Sequence, residues 1–250
     1  MTLESPDRPA MIKAIRFSSY LEALAQEIRR SRSGEKSRLK LLAAGARLLE
    51  SSGFRDLLVE DVCREASLAK GTFYIYFESK EGFLLALLGQ YVEFERNTYP
   101  PASPQRSAYG GVRDWVSWYE GTFAANAGIL RCMIEMSAVD AEAERCWHSR
   151  NGSIIERAIE HAVQRLARPP SPREKELLRL AVRAGGSMMD QSLFERYRIQ
   201  VGTGMKEASD APLMIDLHAL LLYRVLYGEE PDPAEVGRVR ALLALRRRKD

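Results

Sequence analysis

Most of what would mark this chain as an enzyme, a metalloprotein or a membrane protein is missing from it. Its 250 residues include three cysteines, Cys63, Cys132 and Cys146, and three histidines. The cysteines are odd in number, widely spaced and lack a C-x-x-C pair, so reduced thiols in a core are expected and no disulfide framework is. Cys146, His148 and His161 fall near one another in sequence. Residues two apart on a helix do not face each other, however, and no H-x-x-x-H pair or second nearby cysteine completes a tetrahedral metal set. G-x-S-x-G, H-E-x-x-H and Gly-rich phosphate loops are absent as well, so neither an enzymatic reaction nor a cofactor is expected. No run of about eighteen uncharged apolar residues is present, and the N-terminus MTLESPDRPAMIKAIRF has neither the apolar stretch nor the cleavage site of a secretory signal. These absences predict a cytoplasmic protein without a membrane partner.

Charge excludes little. The net charge is +3, with 46% hydrophobic and 28% charged residues, a soluble globular balance. Between Glu35 and Lys80, eight Lys/Arg face seven Asp/Glu, so affinity for nucleic acid has to come from placement and not from total charge. Arg38, Lys40, Lys70 and Lys80 are expected to face phosphate, with Glu60, Asp61 and Glu65 turned away.

The stretch that carries information is Ser37 to Lys80. A helix is predicted from Lys36 to Ser52, with Leu39, Leu42, Ala43, Ala46 and Leu49 on its apolar stripe and Gly53 as its stop. Val59, Val62, Cys63 and Ala66 give a second, short helix one buried face. After Ser67, Leu68 and Ala69, a third helix runs from Lys70 to Phe77. A break of three residues fits the turn of a helix-turn-helix unit, whose second helix enters the major groove. Phe73 and Phe77, four apart, anchor that helix. The opposite side presents Lys70, Gly71, Thr72, Tyr74 and Tyr76, where ammonium, hydroxyl and phenol donors suit phosphate oxygens and base edges. Lys80 and the free amides of the next helix offer a further phosphate contact. Candidate DNA-binding residues are therefore Arg38, Lys70, Gly71, Thr72, Tyr74, Tyr76 and Lys80.

The run K-G-T-F-Y-I-Y-F-E-S-K from Lys70 to Lys80 resembles the signature of the tetracycline-repressor (TetR) family of bacterial regulators. That recognition helix carries T-x-Y-x-H/Y-F and, three residues later, Lys; Thr72, Tyr74, Tyr76, Phe77 and Lys80 fall on matching positions. The resemblance implies an all-α homodimer, with one three-helix headpiece per subunit followed by a helical ligand-binding and dimerisation domain. Ser67 and Ala69 stand where the family commonly has Gly and a Ser or Thr N-cap, which predicts a turn that is looser or shifted by one residue.

Three regions follow: an N-terminal extension over 1–33, the headpiece over 34–80 and the body over 81–250. Residues 1–9 are expected to be disordered. Met11 to Arg30 reads as a helix, capped by Ser18 or Ser19, that either packs on the protein or acts as a DNA arm. Arg29, Arg30, Arg32, Lys36, Arg38 and Lys40 form its basic lead-in.

Further helices are predicted over 81–97, 108–125, 129–139, 143–167, 173–199, 211–227 and 233–247, the last ending in a solvated basic tail. Apolar residues surround much of 211–227, as burial against both a core and a partner requires. In the family, the helices matching 173–199 and 211–227 form the dimer interface. The Gly185-Gly186-Ser187 step reads either as a close helix approach or as a kink.

Trp115, Trp118, Tyr119, Phe123, Met133, Met136 and Trp147 are candidates for an apolar effector pocket, although such residues at helical spacing more often make ordinary core. Arg131, Glu135, Asp190 and Gln191 are candidates for a polar contact in it. The expected function is a repressor on a palindromic double-stranded operator, released when a small apolar molecule pulls the helix 81–97. The alternatives are an activator or constitutive regulator without ligand, and a helical interaction or lipid-binding protein that has lost operator binding.

Overall fold

The computed structural model describes residues 15–28, 33–101, 103, 105–197 and 211–243. Among them lie ten α-helices: α1 (Phe17–Glu27), α2 (Ser33–Leu49), α3 (Val59–Glu65), α4 (Lys70–Tyr76), α5 (Lys80–Thr98), α6 (Ala108–Ala125), α7 (Ala127–Ser137), α8 (Ala141–Val163), α9 (Pro172–Tyr197) and α10 (Ala211–Tyr227). A 3-10 helix, Gly237–Leu243, closes the described chain. No described residue forms a strand, and no described helix is long and apolar enough to cross a membrane. Residues 1–14, the arginines at 29, 30 and 32, Ile199 and the basic tail lie outside the described residues.

The helices fold as two compact units. One comprises Ile15–Tyr99 with Thr122–Arg157; the other comprises Pro100–Gly121 with residues 158–243.

In the first unit, α1 is a packed helix. Phe17, Leu21 and Ala25 recur every fourth residue and are all buried, which is one face of a helix. The Phe17 ring sits 5.3 Å from Tyr91 and 5.4 Å from Phe94 of α5. Neither Ser18 nor Ser19 caps this helix: the N-cap is Arg16, which makes no side-chain cap bond. Asn126 takes over that task from far along the chain, its Oδ1 accepting from the Phe17 amide at 2.7 Å while its Nδ2 donates to the carbonyls of Ile15 and Thr122. One side chain thus satisfies an orphan amide of the helix start and fixes where α1 begins.

Helix α2 packs against α1, α3, α4, α5 and α7, which explains why Leu41 and Ala44 are buried together with the predicted stripe. Two glycines set its approaches. A Cβ on Gly45 would lie 2.4 Å from Phe83 Cζ, and one on Gly128 would lie 2.1 Å from the Leu49 carbonyl oxygen. The unit also holds a fully buried ion pair. Arg150 of α8 donates from Nε and Nη2 to the two carboxylate oxygens of Glu95 on α5, at 2.7 and 2.8 Å. The Tyr91 hydroxyl donates to the same carboxylate at 3.1 Å, so the charges are paired and hydrogen-bonded, as burial demands.

In the second unit, α9 and α10 pack together. The Gly185 step proves to be a close approach within a continuous helix: a Cβ there would meet Leu222 Cδ1 at 3.3 Å. Glu120 of α6 is hydrogen-bonded to His218 Nδ1 at 2.6 Å, and Arg196 lies 3.6 Å from its other oxygen. Asp216 pairs with Arg113 at 2.8 Å and accepts from the Arg238 amide at 3.1 Å.

That last contact corrects the expectation of a final α-helix over 233–247. Residues 233–235 form a turn and the helix that follows is 3-10. Gly237 adopts φ 47, and a Cβ on it would come within 2.6 Å of the Asp216 carboxylate. The segment is shaped by docking on Asp216 and not by its own helical pattern. Helix α8 likewise stops at Val163, short of the predicted 167, where i to i+3 bonds at Arg165 and Leu166 tighten the chain ahead of Pro169 and Pro170.

Candidate nucleic-acid interface

The headpiece is built on three phenylalanines. Phe73 and Phe77 at the two ends of α4's inner face and Phe83 of α5 are buried, with ring centroids 5.0 to 5.4 Å apart. Packing those rings fixes the rotation of α4, and period then decides what faces outward. Gly71, Tyr74 and Ile75 are exposed, and Thr72 and Tyr76 are half-buried.

The turn before α4 is neither loose nor shifted. Helix α3 ends in a Schellman arrangement: the Leu68 amide donates to the Cys63 carbonyl at 2.9 Å and the Ser67 amide to the Arg64 carbonyl at 3.1 Å. Ser67 occupies the left-handed position that this motif requires, at φ 54. Ala69 is the N-cap of α4 in extended conformation and makes no side-chain cap bond. The backbone bonds hold the geometry that the family's usual side chains would otherwise favour.

Electrostatically the face differs from the expectation in one respect. Glu60 is not turned away: its carboxylate pairs with the Lys70 ammonium across the α3–α4 turn. The hydrogen bond from Lys70 holds Glu60 below the usual carboxylate range, and the same bond holds Lys70 above its ordinary value. Glu65 is occupied by Arg47 and Asp61 by Arg64. Arg38 places its guanidinium 5.6 Å from the Phe77 ring centroid, a cation–π contact that orients it on the headpiece. Lys80 donates to the Arg55 carbonyl at 3.0 Å, bracing the loop before α3. Ser79 caps α5 by accepting from the Gly82 amide at 3.0 Å, which occupies one of the first-turn amides. Tyr76 lies against α2, its hydroxyl 3.2 Å from where a Gly34 Cβ would stand.

One outward residue escaped the sequence reading. Ile75 is 74% exposed, more than any other large apolar side chain described. Its position two residues from both Phe73 and Phe77 was the available signal, since it must point away from the face they bury. An exposed methyl-bearing side chain on such a helix suits the thymine methyl of the major groove.

The second unit contains a cavity of about 220 Å³ whose lining includes Pro100, Arg106, Val112, Asp114, Trp115, His161, Arg165, Leu222, Leu226 and Tyr227. Of the seven residues picked for an effector pocket, Trp115 lines it. Tyr119 stacks on Trp115 at 5.6 Å and its hydroxyl donates to Asp190, while Trp118 is buried beside it. Phe123, Met133 and Met136 belong to the core of the first unit, where Trp147 lies 5.5 Å from the Arg150 guanidinium. The seven are thus divided between the two units.

Ser192, His218 and Glu120 line up in hydrogen-bond order, the serine hydroxyl 3.5 Å from His218 Nε2. Ser192 sits inside α9, where neighbouring backbone amides are held in helix bonds and cannot form an oxyanion hole. The cluster therefore acts as buried polar packing.

Three short helices ending in an outward-facing α4 define a helix-turn-helix headpiece on an all-α chain. Residues 41–87 match the family model described as bacterial regulatory proteins, tetR family, so the headpiece is similar to that family's. The chain is 28% identical over 121 residues to the HTH-type transcriptional regulator EthR of Mycolicibacterium smegmatis, covering 46% of this chain and 54% of that protein. It thus spans about half the length of the EthR regulators it matches. An uncharacterized HTH-type transcriptional regulator of Bacillus subtilis, YuxN, is 24% identical over 227 residues, covering 83% of this chain and 77% of the relative. A crystal structure of a tetR-family transcriptional regulator from Streptomyces coelicolor superposes with a TM-score of 0.63 over 84% of this chain and 99% of that one, at 16% identity. That likeness is one of fold.

Proposed function

We propose that this protein is a sequence-specific DNA-binding transcriptional regulator that works as a homodimer on a palindromic double-stranded operator and is released from it by a small molecule. The observation that carries the reading is α4, rotated by its phenylalanines so that Gly71, Thr72, Tyr74 and Ile75 form its outer side. Arg38, Lys70, Tyr76 and Lys80 stand around that side as phosphate and base contacts. Dimerisation is supported by an apolar stripe left on α9, where Leu177, Leu180 and Met188 are exposed, and by exposed Val225 on α10. Two-fold symmetry would place one headpiece on each half-site. A ligand acts as inducer only to the extent that it binds the non-DNA conformation more tightly.

Selection of bound fragments from genomic DNA, followed by gel shift at two salt concentrations, tests the reading. Tyr74→Ala should lose about ten-fold or more of operator affinity with the dimer intact. Lys80 is the less clean probe, because it also braces Arg55. Absence of any salt-dependent, sequence-specific shift would falsify the regulator assignment.

A further inference from the structure

The cavity of the second unit is lined by more than hydrocarbon. Val112, Leu222, Leu226 and the ring of Trp115 supply its apolar wall. Charge distinguishes the rest of the lining. Arg106 is neutralised by Asp114, which accepts from its Nε at 2.8 Å and its Nη2 at 3.3 Å. Arg165 instead donates to two backbone carbonyls, those of Arg106 at 2.8 Å and Ser103 at 2.9 Å. It forms no ion pair with any described carboxylate. One cationic group of the lining is therefore uncompensated.

We propose that this cavity binds a small amphipathic organic anion, an aryl or short-chain carboxylate, with its hydrocarbon against Val112, Leu222 and Leu226. Its carboxylate faces the Arg165 guanidinium. The volume of about 220 Å³ lies below the roughly 300–1,000 Å³ of sites for drug-sized molecules, so the ligand is a compact acid. A neutral hydrocarbon would leave the guanidinium unanswered. This inference refines the effector-responsive reading of the protein, but the binding step itself does not depend on DNA.

The experiment uses the full chain, with benzoate and hexanoate as probes and the neutral isosteres benzamide and hexanamide as controls, read by calorimetry and by melting temperature. The acids should bind about ten-fold or more tighter than the amides, because hydrogen bonds to charged groups are the stronger ones. Arg165→Gln should erase the preference of acid over amide. Because Arg165 also ties the carbonyls of Ser103 and Arg106, the acid–amide comparison on the unaltered chain carries the test if that variant does not fold. Equal binding of acids and amides, or no binding of either acid at about 10 mM, overturns the proposal. Operator gel shifts with and without benzoate separate the two readings: acid binding that leaves operator affinity unchanged upholds the site and removes the acid as effector.

Discussion

Ser67 carries the backbone strain of the recognition turn. A non-glycine residue in the left-handed region is disfavoured by about 1 kcal/mol, and Ala69, two residues on, leaves the α4 amides without a side-chain acceptor. Ser67→Gly and Ala69→Thr should each raise stability by about 0.5–1 kcal/mol, seen as a higher urea midpoint at unchanged slope. Both deviations were legible in the sequence. The physical consequence drawn from them was not, because backbone bonds of the Schellman motif, invisible to residue type, already hold the turn. Titration gives a second prediction at this scale. Burial pushes the Cys132 thiol from 9.0 to about 12 and the Tyr109 phenol from 10.0 to about 12. Both groups keep their protons in the folded state after the unfolded chain has lost them. Their contribution is therefore complete below about pH 9 and is lost as pH rises toward 12, with stability falling by about 1.4 kcal/mol per pH unit for each group in its window. Cys132→Ala should remove one group's share of that slope in alkaline denaturation.

At the scale of elements, α1 shows how a local pattern and a distant contact divide the work. The four-residue repeat of Phe17, Leu21 and Ala25 makes a helix with one buried side, and packing on α2 and α5 follows from that side needing cover. Where the helix starts is decided by Asn126, more than a hundred residues away, and no local signal marks it. The same holds for α5 and α8. No local pattern sets Glu95 and Arg150 apart from other charged residues, yet they meet 55 residues apart in sequence at almost complete burial. Arg150→Met should destabilise the protein by about 3–5 kcal/mol because it strands a buried carboxylate, whereas Arg150→Met combined with Glu95→Leu should recover most of that loss. A double-mutant cycle in denaturant measures the difference. The Glu60–Lys70 pair was hidden for a related reason: ten residues of helix, turn and helix must fold before the two side chains meet.

At the scale of the whole molecule, the exposed apolar residues of α9 and α10 support the proposed dimer. Leu177, Leu180 and Met188 recur at spacings of three and eight along one side of α9, a stripe that a monomer would leave in water. Leu177→Glu with Leu180→Glu should convert a dimer to a monomer in sedimentation analysis. It should also cost the avidity of two headpieces on one operator, about 100-fold or more in affinity, while each headpiece keeps its fold. A dimer that survives both charges would move the interface elsewhere.

By itself the sequence determined the reader. Helical period, a three-residue turn and the order Thr72, Tyr74, Tyr76, Phe77, Lys80 are local quantities, and they fix a helix-turn-helix headpiece whose outer residues follow from its inner ones. It placed eleven helical segments with apolar sides to bury, since each side is written in its own spacing, and ten of them form α-helices among the described residues. What the tertiary structure decided were the contacts between segments far apart in the chain. These are the Asn126 cap on α1, the Glu95–Arg150 pair, the docking of the last segment on Asp216, and the cavity where Arg106, Trp115, Arg165 and Leu222 converge. The reason is physical. Period and propensity act within a few residues, whereas a buried charge or a cavity wall exists only once separate elements have come together.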